Sequence, residues 1–106
     1  MSSPFKLSKY VVCLSYFRAK PQYRDELIQA LLNLIEPTRA EPGCLQYDLL
    51  LDKENPNFLI MAEKFDSQKA LDDHEQQPYI KHFVEHFMSQ YCEEVTWNTC
   101  NELTLT

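Results

Sequence analysis

Two hydrophobic rhythms, a short one and a helical one, take turns along this chain. Tyr10 to Phe17, reading YVVCLSYF, is a compact run of β-branched and aromatic residues closed by Arg18, Lys20 and Pro21, which predicts a first strand and its exit. From Tyr23 to about Arg39 the apolar positions fall at Leu27, Leu31, Leu34 and Ile35, with Ile28 and Leu32 beside them, the spacing of one helical face. Pro37 weakens the last turn of that helix, since an interior proline removes a hydrogen bond, and Pro42-Gly43 stops the chain. Cys44 to Leu51 and Phe58 to Phe65 read as strands joined through the polar stretch Asp52 to Asn57, an antiparallel hairpin. Asp66 and Ser67 are suitable helix N-caps for a short helix carrying Ala70, Leu71 and His74 inward. Pro78 opens a further helix whose inner face holds Ile80, Phe83, Val84, Phe87, Met88 and Tyr91, and Glu93 to Leu105 is extended, alternating Val95 and Trp97 with polar neighbours.

The resulting order is β, α, β, β, a split α, β. It predicts an α+β fold of the ferredoxin-like type with a four-stranded antiparallel sheet. At 106 residues this is one domain spanning 1–106, with 1–9 an N-terminal extension. The sheet poses a problem that one copy does not solve. On the first strand Tyr10, Val12, Leu14 and Tyr16 point one way and Val11, Cys13, Ser15 and Phe17 the other, so both faces are largely apolar. The third strand repeats this, with Phe58, Ile60 and Ala62 against Leu59, Met61 and Phe65. Helices cover one face only. A second copy's sheet is the simplest cover for the other, because a two-fold interface uses the same patch twice, so a homodimer is expected.

Composition narrows the function classes. Hydrophobic residues at 44% and charged residues at 25% are ordinary for a folded chain. Sixteen acidic residues against ten basic ones give a net charge of −6, which offers no footprint for nucleic acid or an anionic membrane. No apolar run approaches the ~20 residues of a membrane span, nor does the N-terminus read as a signal peptide, so a cytoplasmic location is expected. Cys13, Cys44, Cys92 and Cys100 form no CxxC pair. Cys92 and Cys100, eight residues apart in an extended segment, would stand roughly 26 Å apart at about 3.3 Å per residue. All four are expected to be reduced thiols.

Candidate chemistry gathers at few positions. Glu63 shares a strand face with Met61 and Phe65; a carboxylate so placed either forms a structural ion pair or has its pKa raised, which suits proton handling. His74 lies on the inward side of its helix, while Asp72, Asp73 and Glu75 face water. It reads either as a general base or as a packed polar residue. His82 and His86 stand at i and i+4 but lack a third metal ligand, and His82 faces away from Ile80, Phe83 and Phe87, so both read as solvent-exposed. With Gly43 the only glycine, no nucleotide or flavin fingerprint is possible, and activity is expected to need neither metal nor flavin.

Several of these runs together resemble a known family. Glu41-Pro42-Gly43-Cys44-Leu45-Gln46-Tyr47, Asp52 to Asn57, Glu63-Lys64-Phe65, Ala70-Leu71-Asp72-Asp73-His74, Pro78-Tyr79-Ile80 and Lys20-Pro21 are similar to the antibiotic biosynthesis monooxygenases, dimeric α+β barrel proteins, over residues about 10 to 100. The resemblance implies a pocket between sheet and helices holding Tyr47, Glu63, Phe65 and His74, with Cys13, Ser15 and Phe83 as further substrate contacts. Phe65 departs from the family's usual tryptophan. It keeps an aromatic wall and loses an N–H donor. Family members include oxygenases of quinols and anthrones that use neither metal nor flavin, a sugar-phosphate isomerase and haem-degrading enzymes. The implied reaction is oxygenation of a small quinol, anthrone or other aromatic substrate, with O2 as co-substrate, His74 as base, Glu63 as its orienter or alternative base and Tyr47 donating to the developing anion. The haem-degrading pattern fits less well, because Ser15 stands where it has asparagine, His74 where it has tryptophan and Val84 near its axial histidine. Isomerisation or epimerisation of a keto or enol metabolite, and ligand binding without turnover, are the alternatives that the residues leave open.

Overall fold

The computed structural model describes residues 3–106; of the expected 1–9 extension, Met1 and Ser2 lie outside them. Strand β1 runs Phe5–Ala19, longer than the expected Tyr10 to Phe17, because its ends gain partners that hydrophobic patterning does not reveal. Phe5, Lys6 and Leu7 pair with Leu105, Thr104 and Leu103, and the register shifts before Val11 resumes pairing with Asn101. Then come helix α1 (Arg24–Leu32) after a single tight turn at Pro21–Tyr23, α2 (Ile35–Arg39), β2 (Cys44–Leu51) and β3 (Phe58–Phe65). Helices α3 (Gln68–Glu75), α4 (Pro78–Phe83) and α5 (Ser89–Tyr91) follow, with a wide π turn at Val84–Met88 between the last two, and β4 (Cys92–Leu105) closes the chain.

The single helix expected from Tyr23 to about Arg39 is two. Pro37 has no N–H to give the Asn33 carbonyl, and its ring crowds the preceding turn. The helix therefore breaks at Asn33 and Leu34, where the Leu34 N–H turns to the Leu31 carbonyl at 3.1 Å. The one helix expected from Pro78 to Tyr91 is likewise interrupted, by the π turn. Across that turn Met88 stays at the inner cavity, while the Phe87 ring moves outside it, stacked on Tyr91 at 5.4 Å.

All strand pairs are antiparallel, in the order β2-β3-β1-β4, the ferredoxin-like arrangement. The β2–β3 hairpin turns through Asp52, whose Oδ2 accepts the N–H groups of Glu54 and Asn55 at 3.0 and 2.8 Å. Register decides what faces the helices. Cys13 stands between Glu63 and Thr99, Ser15 between Met61 and Trp97, and Phe17 between Leu59 and Val95; Tyr47 and Leu49 lie beside Glu63 and Met61. This helix-side face packs on Leu27, Leu31, Leu34 and Phe83 to form the main core, while Val11, Cys13, Phe65 and Leu71 make a smaller cluster toward α3.

The other face carries Val12, Leu14, Tyr16, Phe58, Ile60 and Ala62, none of them fully buried. Among the described residues the four cysteines are free, and no helix is long and apolar enough to cross a membrane.

Candidate functional site

Between sheet and helices lies a cavity of about 320 Å³. Phe17, Leu31, Leu34 and Met61 line its floor and inner wall, and Ile80, Phe83, Val84 and Met88 form the helical side. Its polar groups are Ser15, Tyr47, Glu63, His74 and Glu75, and no lysine or arginine lines it among the described residues. Trp97 stands at the rim with 65% of its surface exposed.

Glu63 is carried in by the alternation of β3, whose inward residues Leu59, Met61, Glu63 and Phe65 are all buried. His74 is carried in by α3. Ser67 caps that helix, its Oγ accepting the Ala70 N–H at 3.1 Å, and the turn phase that buries Leu71 also buries His74, which is 4% exposed. The two side chains meet, His74 Nε2 lying 3.6 Å from Glu63 Oε1, while Ser15 Oγ donates to Glu63 Oε2 at 3.3 Å.

A third acid completes the group. Glu41, in the turn before β2, presents its carboxylate to His74 Nδ1 at 3.0 and 3.2 Å and accepts a short hydrogen bond from the Tyr79 hydroxyl of α4. His74 is thus flanked by carboxylates at both ring nitrogens. Glu41 had no place among the sequence candidates, because the only signal for it, one acid before Pro42-Gly43, looks like part of a turn. Trp97 was also missed, although its alternation with Thr96 and Asn98 and its place beside Ser15 in the sheet put it on the pocket side.

Burial sets the proton affinities. The Glu63 carboxyl is pushed up to about 8, chiefly by desolvation; the charges of Glu75 and Glu41 add to this, while the Ser15 hydrogen bond opposes it. Burial, with the Glu63 charge second, raises the Tyr47 hydroxyl well above its ordinary range, so it stays protonated and able to donate. Burial likewise pushes the Cys13 thiol up to about 11, so it is no ready nucleophile.

The expected site residues therefore divide. His74, Glu63, Tyr47, Cys13, Ser15 and Phe83 all line the cavity. Phe65 does not: fully buried at the end of β3, it sits behind His74 with the two rings 5.0 Å apart, and supports the imidazole from the side away from the pocket. His82 and His86 are exposed, their rings 4.5 Å apart, and no group of three metal-ligating side chains occurs among the described residues.

Known proteins share both the sequence pattern and the fold. An uncharacterized protein of Synechocystis is 36% identical over 75 residues, a match that takes in 71% of this chain and 51% of that protein, so the chain spans about half the length of that relative. YcnE of Bacillus subtilis, named provisionally as a monooxygenase, is 31% identical over 74 residues, 70% of this chain and 78% of YcnE. Among solved structures, protein SO0527 of Shewanella oneidensis superposes with a TM-score of 0.91 at 30% identity, covering 93% of this chain and 97% of that one. Rv0793 of Mycobacterium tuberculosis superposes with a TM-score of 0.85 at 28% identity, covering 90% and 96%. The model of the antibiotic biosynthesis monooxygenase family matches residues 10–86, a span that holds Glu41, Glu63 and His74, and the chain belongs to that family.

Proposed function

We propose that this protein is a monooxygenase that oxidises a small quinol, anthrone or related hydroxylated aromatic with O2, without metal or flavin, and that it works as a homodimer. The observation that carries the reading is the buried His74–Glu63 pair at the polar end of an otherwise apolar cavity. Such a cavity excludes water from a flat aromatic ring and leaves one polar end to receive its acidic hydrogen.

His74 takes that proton at Nε2, and Tyr47 donates to the oxygen on which negative charge develops. The electron-rich anion passes one electron to O2. The substrate radical and superoxide then combine, and loss of water from the resulting hydroperoxide leaves the second oxygen atom as a new carbonyl. Both oxygen atoms and all electrons are accounted for by the substrate and O2 alone.

The lining argues against the sugar-phosphate alternative, because a phosphate dianion beside Glu75 would meet repulsion with no lysine or arginine among the described residues of the wall to offset it. An oxygen-electrode survey of metal-stripped protein with hydroquinones, naphthoquinols and anthrones tests the proposal. Oxygen uptake above autoxidation is the expected result. Product formed from a keto or enol compound without uptake would overturn it in favour of an isomerase, and thermal stabilisation by these aromatics without turnover would overturn it in favour of a binding protein.

A further inference from the structure

We propose that Glu41 is a positioning residue: its carboxylate, itself held by Tyr79, fixes the tautomer and orientation of His74 so that the free lone pair of the imidazole is at Nε2 and faces the pocket. This rests on the proposed role of His74 as base, but the geometry behind it is separate from any reaction.

A neutral imidazole has one N–H and one lone pair, and only the nitrogen with the lone pair can accept a substrate proton. Two carboxyl groups stand near the ring and bear on which nitrogen that is. Glu41 lies within hydrogen-bonding distance of Nδ1 through both oxygens, at 3.0 and 3.2 Å, whereas Glu63 stands 3.6 Å from Nε2, beyond a direct hydrogen bond. The proton therefore resides on Nδ1. When Nε2 accepts a proton, the second on the ring, Glu41 is already in contact with the imidazole and stabilises the imidazolium without reorganising.

The carboxylate is itself fixed. Tyr79 donates to Glu41 Oε2, and burial, then this hydrogen bond and the Glu41 charge, raise the tyrosine's pKa, so the hydroxyl remains a donor. Tyr79 also lies within reach of the Pro37 carbonyl at 3.3 Å, which ties α4 to α2. The ring is held laterally by Phe65 and by Tyr47, whose centroids lie 5.0 and 5.4 Å away. Glu41 lines the outer side of this arrangement and is absent from the cavity wall, so it acts through His74 and not on substrate.

Nitrogen-15 NMR of protein labelled at histidine reads the tautomer directly and needs no turnover. With spectra taken at a pH where the ring is neutral, and His74 assigned by comparison with His82→Ala and His86→Ala, the wild type is expected to carry its proton on Nδ1. Glu41→Gln, whose amide can present either a donor or an acceptor to the ring, is expected to give a mixture of tautomers, and Tyr79→Phe a smaller shift the same way. Glu41→Asp is expected to keep the wild-type signature. A wild-type proton on Nε2, or an unchanged tautomer in both Glu41→Gln and Tyr79→Phe, overturns the proposal. In turnover with a quinol, Glu41→Gln is expected to lower kcat by roughly 10-fold or more with KM little changed, and an unchanged kcat would also overturn it. If the tautomer responds as expected but no quinol is oxidised by the wild type, the assigned reaction fails while the positioning role of Glu41 stands.

Discussion

At the scale of single residues the site is governed by the environment of two ionisable groups. If His74 is the base, His74→Ala should lower kcat by on the order of 10²-fold or more, the usual worth of a positioned general base. His82→Ala, an exposed histidine outside the cavity lining, should change little. The deficit should shrink with substrates already ionised in solution, and a variant that keeps full turnover at neutral pH would move the role to Glu63. Glu63 makes a separate, thermodynamic prediction. Its folded pKa of about 8 lies above the unfolded value of 4.5, so protonated Glu63 costs nothing extra below about pH 4.5. Between pH 4.5 and 8 the unfolded chain releases this proton and the folded one retains it, so stability falls as pH rises through that window. Glu63→Gln does not titrate. Its advantage over the wild type should be absent near pH 4 and grow to at most about 5 kcal/mol at pH 9, measured by urea unfolding at matched protein concentration; a difference independent of pH would show that Glu63 ionises freely in the fold.

At the scale of elements, one contact docks the histidine-bearing helix. A Cβ on Gly43 would stand 2.3 Å from the Ala70 Cβ and 2.9 Å from Asp66 Oδ1. The only glycine of the chain is thus required for close approach of the α2–β2 turn to α3, and not for an unusual backbone angle, since no residue has positive φ among those described. Gly43→Ala should push α3 outward and cost about 1–3 kcal/mol, with a loss of turnover as His74 is displaced from Glu41; unchanged stability in chemical denaturation would contradict this. The same elements show what a linear pattern conveys. β3 was readable to the residue because strict alternation on a fully flanked strand leaves no other register, and α3 because Ser67 caps it and Leu71 and His74 share a turn. The extra length of β1 was not readable, since Phe5 to Leu7 acquires its partners from residues about a hundred positions away. Glu41 was hidden for the same reason: its meaning lies in two side chains, His74 and Tyr79, brought by separate helices. Phe65 shows the opposite error, because alternation gave its face correctly but not its depth behind the imidazole.

At the scale of the whole molecule the sheet presents two unlike faces, and the unlikeness bears on assembly. The helix-side face holds the core and the cavity; the other holds Val12, Leu14 and Tyr16 of β1 beside Phe58, Ile60 and Ala62 of β3, only half-buried in one copy. Charged pairs surround this patch, with Lys64 and Glu102 2.5 Å apart at one end, Arg39 and Asp48 2.7 Å apart at one side and Arg18 near Glu94 at the other end. An apolar centre with a polar rim is the anatomy of a protein interface, and a two-fold axis through the patch would bury it in both copies at once. We expect a dimer at micromolar concentration by sedimentation, with a melting temperature that rises with protein concentration. Leu14 lies at the patch centre, between Ala62 and Asn98 in the sheet, and faces away from the core. Leu14→Arg should therefore leave the monomer fold intact while placing two like charges near each other across the axis, giving a monomer whose melting temperature no longer depends on concentration. Because the cavity opens on the opposite face, that monomer should still bind an aromatic ligand, with any loss of affinity reporting how far the partner stiffens the sheet beneath Glu63. A wild-type protein that sediments as a monomer at micromolar concentration would mean that the half-buried face is stable in water, and the dimer would have to be abandoned.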